Sequence, residues 1–266
     1  MVTLFLALGC SDTLLVDASD DASNPGSDPT EDTAAAALDE EWSGARLEIE
    51  NPPSATFLPL GEQSEFKAVV YGADGEPKDF PDIVWSSDVD DSWAITGADV
   101  EDDTLNVGTH ALTAEALLPN GDRLAYTVGG VLVQSPYAGV YVGDLSVTAS
   151  GDYNGTPISV GCSGALTMVV DAEGKTATGD AGCLLSLLGY DIDTGYLFDL
   201  ENDAGDLTGT ASIDLQFYQL PVESSGSITE DGALDGTFGA DVAGFVTMEA
   251  SYAATRITRD LSTVQN

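Results

Sequence analysis

Three features of this 266-residue sequence predict an all-β fold. Short runs alternate apolar and polar residues, as half-buried strands do. Clusters of Gly, Asn, Asp and Pro close these runs at intervals of roughly 8–12 residues, the spacing of sandwiches and barrels. Glycine is abundant at 29 residues, Ser and Thr are frequent, and long helix-favouring stretches are few. The predicted architecture is an acidic disordered segment, then a β-sandwich, then an antiparallel β-meander forming a barrel or a strongly bent sheet.

The chain opens on an apolar run of Val2, Leu4, Phe5, Leu6, Ala7 and Leu8, followed by Gly9, Cys10 and Ser11. An apolar core ending in a small residue is the pattern of an export signal. This stretch resembles the end of a bacterial lipoprotein signal, in which the cysteine is cut free and lipidated. The resemblance implies a signal remnant over 1–9 and lipidation at Cys10. It also implies a membrane as partner through the lipid anchor. The location would be the cell envelope, with Ser11 matching outer-membrane sorting and the protein facing the periplasm or exterior. The first base of the chain is Arg46, so the basic end of such a signal is missing and its true start is expected upstream. The competing reading is a buried N-terminal strand with Cys10 as a free core thiol. No stretch of the sequence reaches the roughly 18 apolar residues of a membrane-spanning helix.

Residues 10–43 form the acidic linker. From 11 to 41 the chain has many acids, no base, two prolines and no lasting apolar period. Such a segment buries too little apolar surface to offset the entropy of ordering. Self-repulsion extends it, as suits a spacer. The run 34–41 is long enough for a helical turn or two, but too short to be stable alone.

The whole chain carries 46 acids against 7 bases, a formal net charge of −39. That field repels nucleic acid and anionic lipid, so DNA and RNA are excluded as partners. The acids do not imply disorder throughout, because 43% of the residues are hydrophobic.

The first folded unit is expected over 44–135, with strands at 46–50, Ser64–Tyr71, Ile83–Ser87, 104–107, 108–116 and 123–133. Asn51-Pro52-Pro53, Gly72 to Gly75 and Pro119 to Asp122 break them. The succession of Phe66 to Val70, then Val84-Trp85-Ser86-Ser87, then 105–114, then Asn120-Gly121-Asp122 resembles bacterial Ig-like repeats of the PKD and related families. The resemblance implies an Ig-like sandwich with Trp85 buried between its sheets and 108–110 opening the strand before the last hairpin. Such modules are spacers or interaction domains, and the fold itself implies no chemistry.

The second unit is expected over 136–260, with 261–266 as a tail. Eight strands are predicted at 137–149, 158–170, 175–188, 196–201, 205–218, 222–229, 233–240 and 246–256. Short turns rich in Gly, Asn and Asp join them, so neighbours run antiparallel. Cys162 and Cys183 are symmetric about the Ala172–Glu173 junction, inside a predicted turn. A hairpin centred there sets them opposite one another at disulfide distance. The alternative is two unpaired buried thiols. A metal site is disfavoured, since two cysteines without a nearby histidine cannot fill a tetrahedral shell. This half is also similar to C-terminal β-domains of predicted secreted lipoproteins, a likeness that implies no activity.

No catalytic residue is predicted. His110 is the only histidine, and it is expected to be a strand histidine with a satisfied or solvated ring. No Gly-x-Ser-x-Gly elbow and no Gly-rich loop with a lysine occurs. Calcium has weak candidates in two loop clusters, Asp88, Asp90 and Asp91 with Glu101, Asp102 and Asp103; a solvated acidic face is the stronger reading. No cofactor is expected. The sequence therefore points to a non-enzymatic, lipid-anchored cell-surface protein acting in interaction or envelope structure, with a protein or surface polysaccharide as partner. One rival is a lipocalin-like carrier of an apolar ligand, which the small residues Gly161, Ala165, Ala177, Gly179 and Ala181 leave open. The other is a hydrolase working through acids alone.

Overall fold

The computed structural model describes residues 40–263, apart from 154, 188–189, 215–218 and 243–245. The signal-like stretch, Cys10 and the linker up to residue 39 lie outside the described residues. The chain is nearly all β, with 70% strand and 2% helix. Residues 40–42 form a single helical turn that tucks Trp42 into the first core.

Nine strands build the first unit: β1 (Arg46–Asn51), β2 (Phe57–Pro59), β3 (Ser64–Tyr71), β4 (Pro77–Lys78), β5 (Ile83–Ser87), β6 (Ala94–Thr96), β7 (Asp99–Asp102), β8 (Gly108–Leu117) and β9 (Arg123–Gln134). One sheet runs β1-β3-β4 with β7 also on β3; the other runs β2-β9-β8-β5-β6. Both contribute to one core. Along β3, Phe66, Ala68 and Val70 turn inward while Glu65 faces solvent. Trp85 on β5 is fully buried and meets Phe66 edge-on at 5.7 Å, so it joins the two sheets. Its indole N–H donates to the Gly97 carbonyl at 2.9 Å, which satisfies the polar end of a buried ring.

Two sequence expectations fail here. Residues 104–107 form no strand, because Asp102 captures the Thr104 N–H and hydroxyl and turns the chain. Glu101 and Asp102 lie in strand β7, opposite Glu65 and Ser64 of β3, rather than in a loop. The short strands β2, β4, β6 and β7 carry too few residues to show a period.

Eight strands follow: β10 (Gly139–Tyr153), β11 (Thr156–Val170), β12 (Thr176–Leu187), β13 (Tyr190–Asp203), β14 (Asp206–Asp214), β15 (Gln219–Ile228), β16 (Ala233–Val242) and β17 (Val246–Thr258). They form a closed antiparallel barrel in sequence order, with β17 pairing back on β10. β13 begins six residues before its expected start. Its Asp191 and Asp193 read as a loop in sequence, but they alternate outward while Ile192 and Thr194 turn inward.

Alternation decides the character of this barrel. Leu145, Leu166, Met168, Phe198, Leu207, Ile213 and Tyr252 face in and are buried. The outward rows carry residues such as Asp144, Ser146, Thr178, Asp199, Thr210, Glu223 and Glu249, all exposed. Apolar inside and acidic outside suits a wall bathed in water, the reverse of a lipid-facing barrel.

Inward glycines let the wall bend. At Gly143, Gly164, Gly179, Gly209 and Gly226 an added Cβ would stand 1.7–2.4 Å from a carbonyl oxygen of the adjacent strand. Each lies on a different strand, so the sharp curvature is shared around the circumference.

One end of the barrel, here its base, rests on the sandwich. Ser135 donates its backbone N–H to Ala172 in the β11–β12 turn at 2.8 Å. Arg256 and Arg259 both donate to the Pro136 carbonyl, at 2.5 and 3.1 Å, and both reach the Glu230 carbonyl. Arg259 also stacks over Phe57 of the sandwich, 4.0 Å from the ring centre.

Candidate functional site

The acidic candidates are taken up locally. Asp88 accepts the backbone N–H of Ala111 at 2.6 Å, where β8 bulges against β9. Asp90 is buried and accepts from the Ser92 backbone, the Ser92 hydroxyl and the Asn106 amide. The hydroxyl of Ser92 is the main cause that holds its carboxyl below the ordinary carboxylate value. Asp102 accepts the Trp93 indole at 2.8 Å and both Thr104 donors. Burial works against its charged form, but these hydrogen bonds outweigh it and its pKa is lowered. Asp91, Glu101 and Asp103 are exposed. Among the described residues no group of three or more His, Cys, Asp or Glu is arranged to hold a metal.

His110 is buried between fixed partners. Its Nδ1 lies 2.7 Å from the Ser87 hydroxyl and its Nε2 lies 2.8 Å from the Asn106 carbonyl. The Ser87 oxygen accepts the backbone N–H groups of Val89 and Asp90, so its own proton points to Nδ1. Nε2 then carries the ring proton and donates to Asn106. This ring braces the turn after β5.

Cys162 and Cys183 are joined in a disulfide with their Cα atoms 5.7 Å apart. The route differs from a continuous ladder. The β11–β12 register runs from Val170↔Ala177 to Leu166↔Ala181, which centres the hairpin one residue later than the cysteine midpoint. Four residue steps on β11, from Leu166 to Cys162, then face two on β12, from Ala181 to Cys183. Gly164 lies in this offset stretch, where an added Cβ would stand 1.7 Å from the Gly182 carbonyl oxygen.

The barrel interior changes along its axis. Near the base Tyr141, Met168, Val170, Leu200, Leu207, Ile228 and Leu234 are all sealed, with at most 3% exposure among those after Tyr141. Midway, Phe198 packs against Phe238 and Tyr252, with ring centres 5.9 and 5.1 Å apart. The Tyr252 hydroxyl meets Ser224 at 3.1 Å. Tyr196 lies beside Phe238 at 5.7 Å and is 1% exposed. Burial pushes this phenol's pKa up, and the neighbouring Thr194 hydroxyl only partly offsets it. Thr194 itself donates to the Cys183 carbonyl at 2.8 Å. Beyond this level Val160, Ile192, Leu220, Val222, Ala240 and Val246 pack on the core yet are only half-buried. Of the small residues left open by the sequence, Ala177, Gly179 and Ala181 face inward, and Gly161 and Ala165 face out. Sequence reading missed Tyr196 and Thr194 as interior polar groups; the alternation of Ile192, Thr194, Tyr196, Phe198 and Leu200 carries that signal.

Fold and interior together define an all-β protein in which a two-sheet body carries an eight-stranded, water-facing barrel. It is similar to a structure of intact Ap-TbpB with its N and C lobes, at 13% identity and a TM-score of 0.30, over 73% of this chain and 51% of that one. It is similar also to a transferrin binding protein B variant, a vaccine antigen from Haemophilus parasuis Hp5, at 13% identity and 0.31, over 73% and 50%. The chain spans about half the length of these proteins. No protein-family model and no curated protein sequence matches it.

Proposed function

We propose that this chain is a non-enzymatic, lipid-anchored protein of the bacterial cell surface, held at the outer membrane through Cys10. Residues 10–43 act as the spacer, the Ig-like PKD-type sandwich as a stand, and the barrel as the part presented to a protein or surface-polysaccharide partner. The observation that carries this reading is how the polar side chains are used. His110, Asp88, Asp90 and Asp102 are all spent on bracing turns. The hydrolase reading has no assembled constellation to rest on among the described residues. The acidic outer wall fits a protein kept in water beside a membrane, not within one.

Metabolic labelling with a fatty-acid analogue in the native host tests the anchor. Label is expected on the wild type and absent from Cys10→Ala. Equal label on both would overturn the anchor.

A further inference from the structure

We infer that the cleft where the sandwich meets the barrel binds one small organic anion with an apolar body, and that the Arg259 guanidinium is its counter-charge. The inference goes beyond the surface role and stands whether or not Cys10 is lipidated.

The cleft forms where the chain leaves the barrel. After β17 the segment 259–262 runs beside the outer face of the second sandwich sheet. Gln134, at the end of β9, donates its side-chain amide to the Arg259 carbonyl at 3.1 Å and holds that segment in place. Next to it Phe57, Leu132 and Thr109 stand in one cross-strand row over β2, β9 and β8, and none of them belongs to the sandwich core. Val107, Thr109, Leu132, Ala172, Leu261 and Arg259 line a groove of about 500 Å³ there. That size and that place, a joint between two bodies, are usual for small-molecule sites. Val107, Leu132 and Leu261 are half-buried, so the groove offers apolar surface that still reaches solvent.

The second observation is one of charge and is independent of the groove. Half-buried charges are ordinarily paired. In a chain with 46 acids, Arg46, Lys67, Lys78, Arg123 and Lys175 each have a carboxylate partner. Arg256 and Arg259 are half-buried and have only neutral acceptors, the Pro136 and Glu230 carbonyls and, for Arg256, also the Ala138 carbonyl and the Tyr141 hydroxyl. Two like charges thus converge on one oxygen. Burial, and then the neighbouring Arg256 charge, lower the Arg259 pKa, as happens to a desolvated cation that no anion answers.

The same features fix the ligand's chemistry. A guanidinium presents a planar fork that matches a carboxylate or sulfonate. A bare inorganic ion is disfavoured, because a net charge of −39 opposes any anion. An apolar body leaving water against Leu132 and Leu261 offsets that repulsion. Asp260 also lines the groove; it is exposed and its carboxylate accepts the Ser262 backbone N–H at 2.9 Å. It would repel a second acidic group, so the ligand carries a single negative charge.

The test uses the full chain and isothermal titration calorimetry with 8-anilino-1-naphthalenesulfonate as the apolar anion. One site per chain is expected. N-phenyl-1-naphthylamine, the same skeleton without the sulfonate, should bind about tenfold more weakly or worse, the loss of a charge-assisted hydrogen bond. Inorganic sulfate at equal concentration should not compete. Arg259→Gln should weaken the sulfonate by a similar factor and leave the neutral compound unchanged. Thr109→Trp, on the exposed face of β8, fills the groove with both arginines intact and should abolish binding; it decides the matter if Arg259→Gln does not fold. A folded wild type that does not bind the sulfonate overturns the proposal. So does equal affinity for the neutral compound, competition by sulfate, or sulfonate binding that survives either variant.

Discussion

Asp102 is the residue where acid density and actual use diverge most. In sequence it belongs to a run of acids that reads as a calcium loop or a solvated face. In the fold its carboxylate is the acceptor for the buried Trp93 ring. Neither backbone N–H groups nor an indole nine residues away announce themselves in a list of acids, so this role was not legible. His110 was, because a lone strand histidine has few other fates. Asp102→Ala leaves the indole N–H unsatisfied and is expected to cost about 1–3 kcal/mol in urea unfolding. Asp102→Asn addresses pH. The folded-state pKa is depressed, so this carboxylate's stabilisation is present above its unfolded pKa and is lost as pH falls through the folded value. The acid limb of the stability curve should therefore be shallower in Asp102→Asn, as read by urea midpoints between about pH 2 and pH 6.

At the scale of elements, the β11–β12 hairpin shows what sequence symmetry can and cannot tell. The cysteine midpoint indicated the pairing, since only a hairpin brings those residues together. It placed the turn one residue early, because the two cysteines are not centred on the register of the β11–β12 ladder, and spacing alone does not show that offset. Gly164 is the residue that lets the two strands approach closely there. Gly164→Ala would drive a methyl into the Gly182 carbonyl at 1.7 Å, and a loss of about 1–3 kcal/mol is expected. Gly161→Ala, whose nearest contact is at 3.2 Å, should cost clearly less by the same denaturant assay. Replacing both Cys162 and Cys183 by Ser should lower stability by about 2–4 kcal/mol, chiefly by freeing the unfolded chain. The eight barrel strands themselves were legible, because long alternating runs and short turns survive inspection one at a time. The short strands of the sandwich were not, because two to four residues carry no period.

For the whole molecule, charge is the governing quantity. A net charge of −39 repels itself, and the unfolded chain relieves that repulsion by expanding. Salt should therefore stabilise the fold. Raising ionic strength from about 0.01 M to about 1 M shortens the screening length from about 30 Å to about 3 Å, and the melting temperature should climb across that range. A melting temperature that stays level or falls would show that long-range repulsion is not what limits stability.

Scarcity of positive charge gives the joint between the two bodies its meaning. Of seven basic residues, Arg46, Lys67, Lys78, Arg123 and Lys175 pair with carboxylates at the surface. Arg256 and Arg259 instead grip the same backbone oxygen of Pro136, and Arg259 also stands over the Phe57 ring. A joint held at several points by scarce cations is expected to resist turning. A tug on the far rim of the barrel would reach the sandwich as torque rather than dissipate in a swivel, so the molecule would answer load as a single lever.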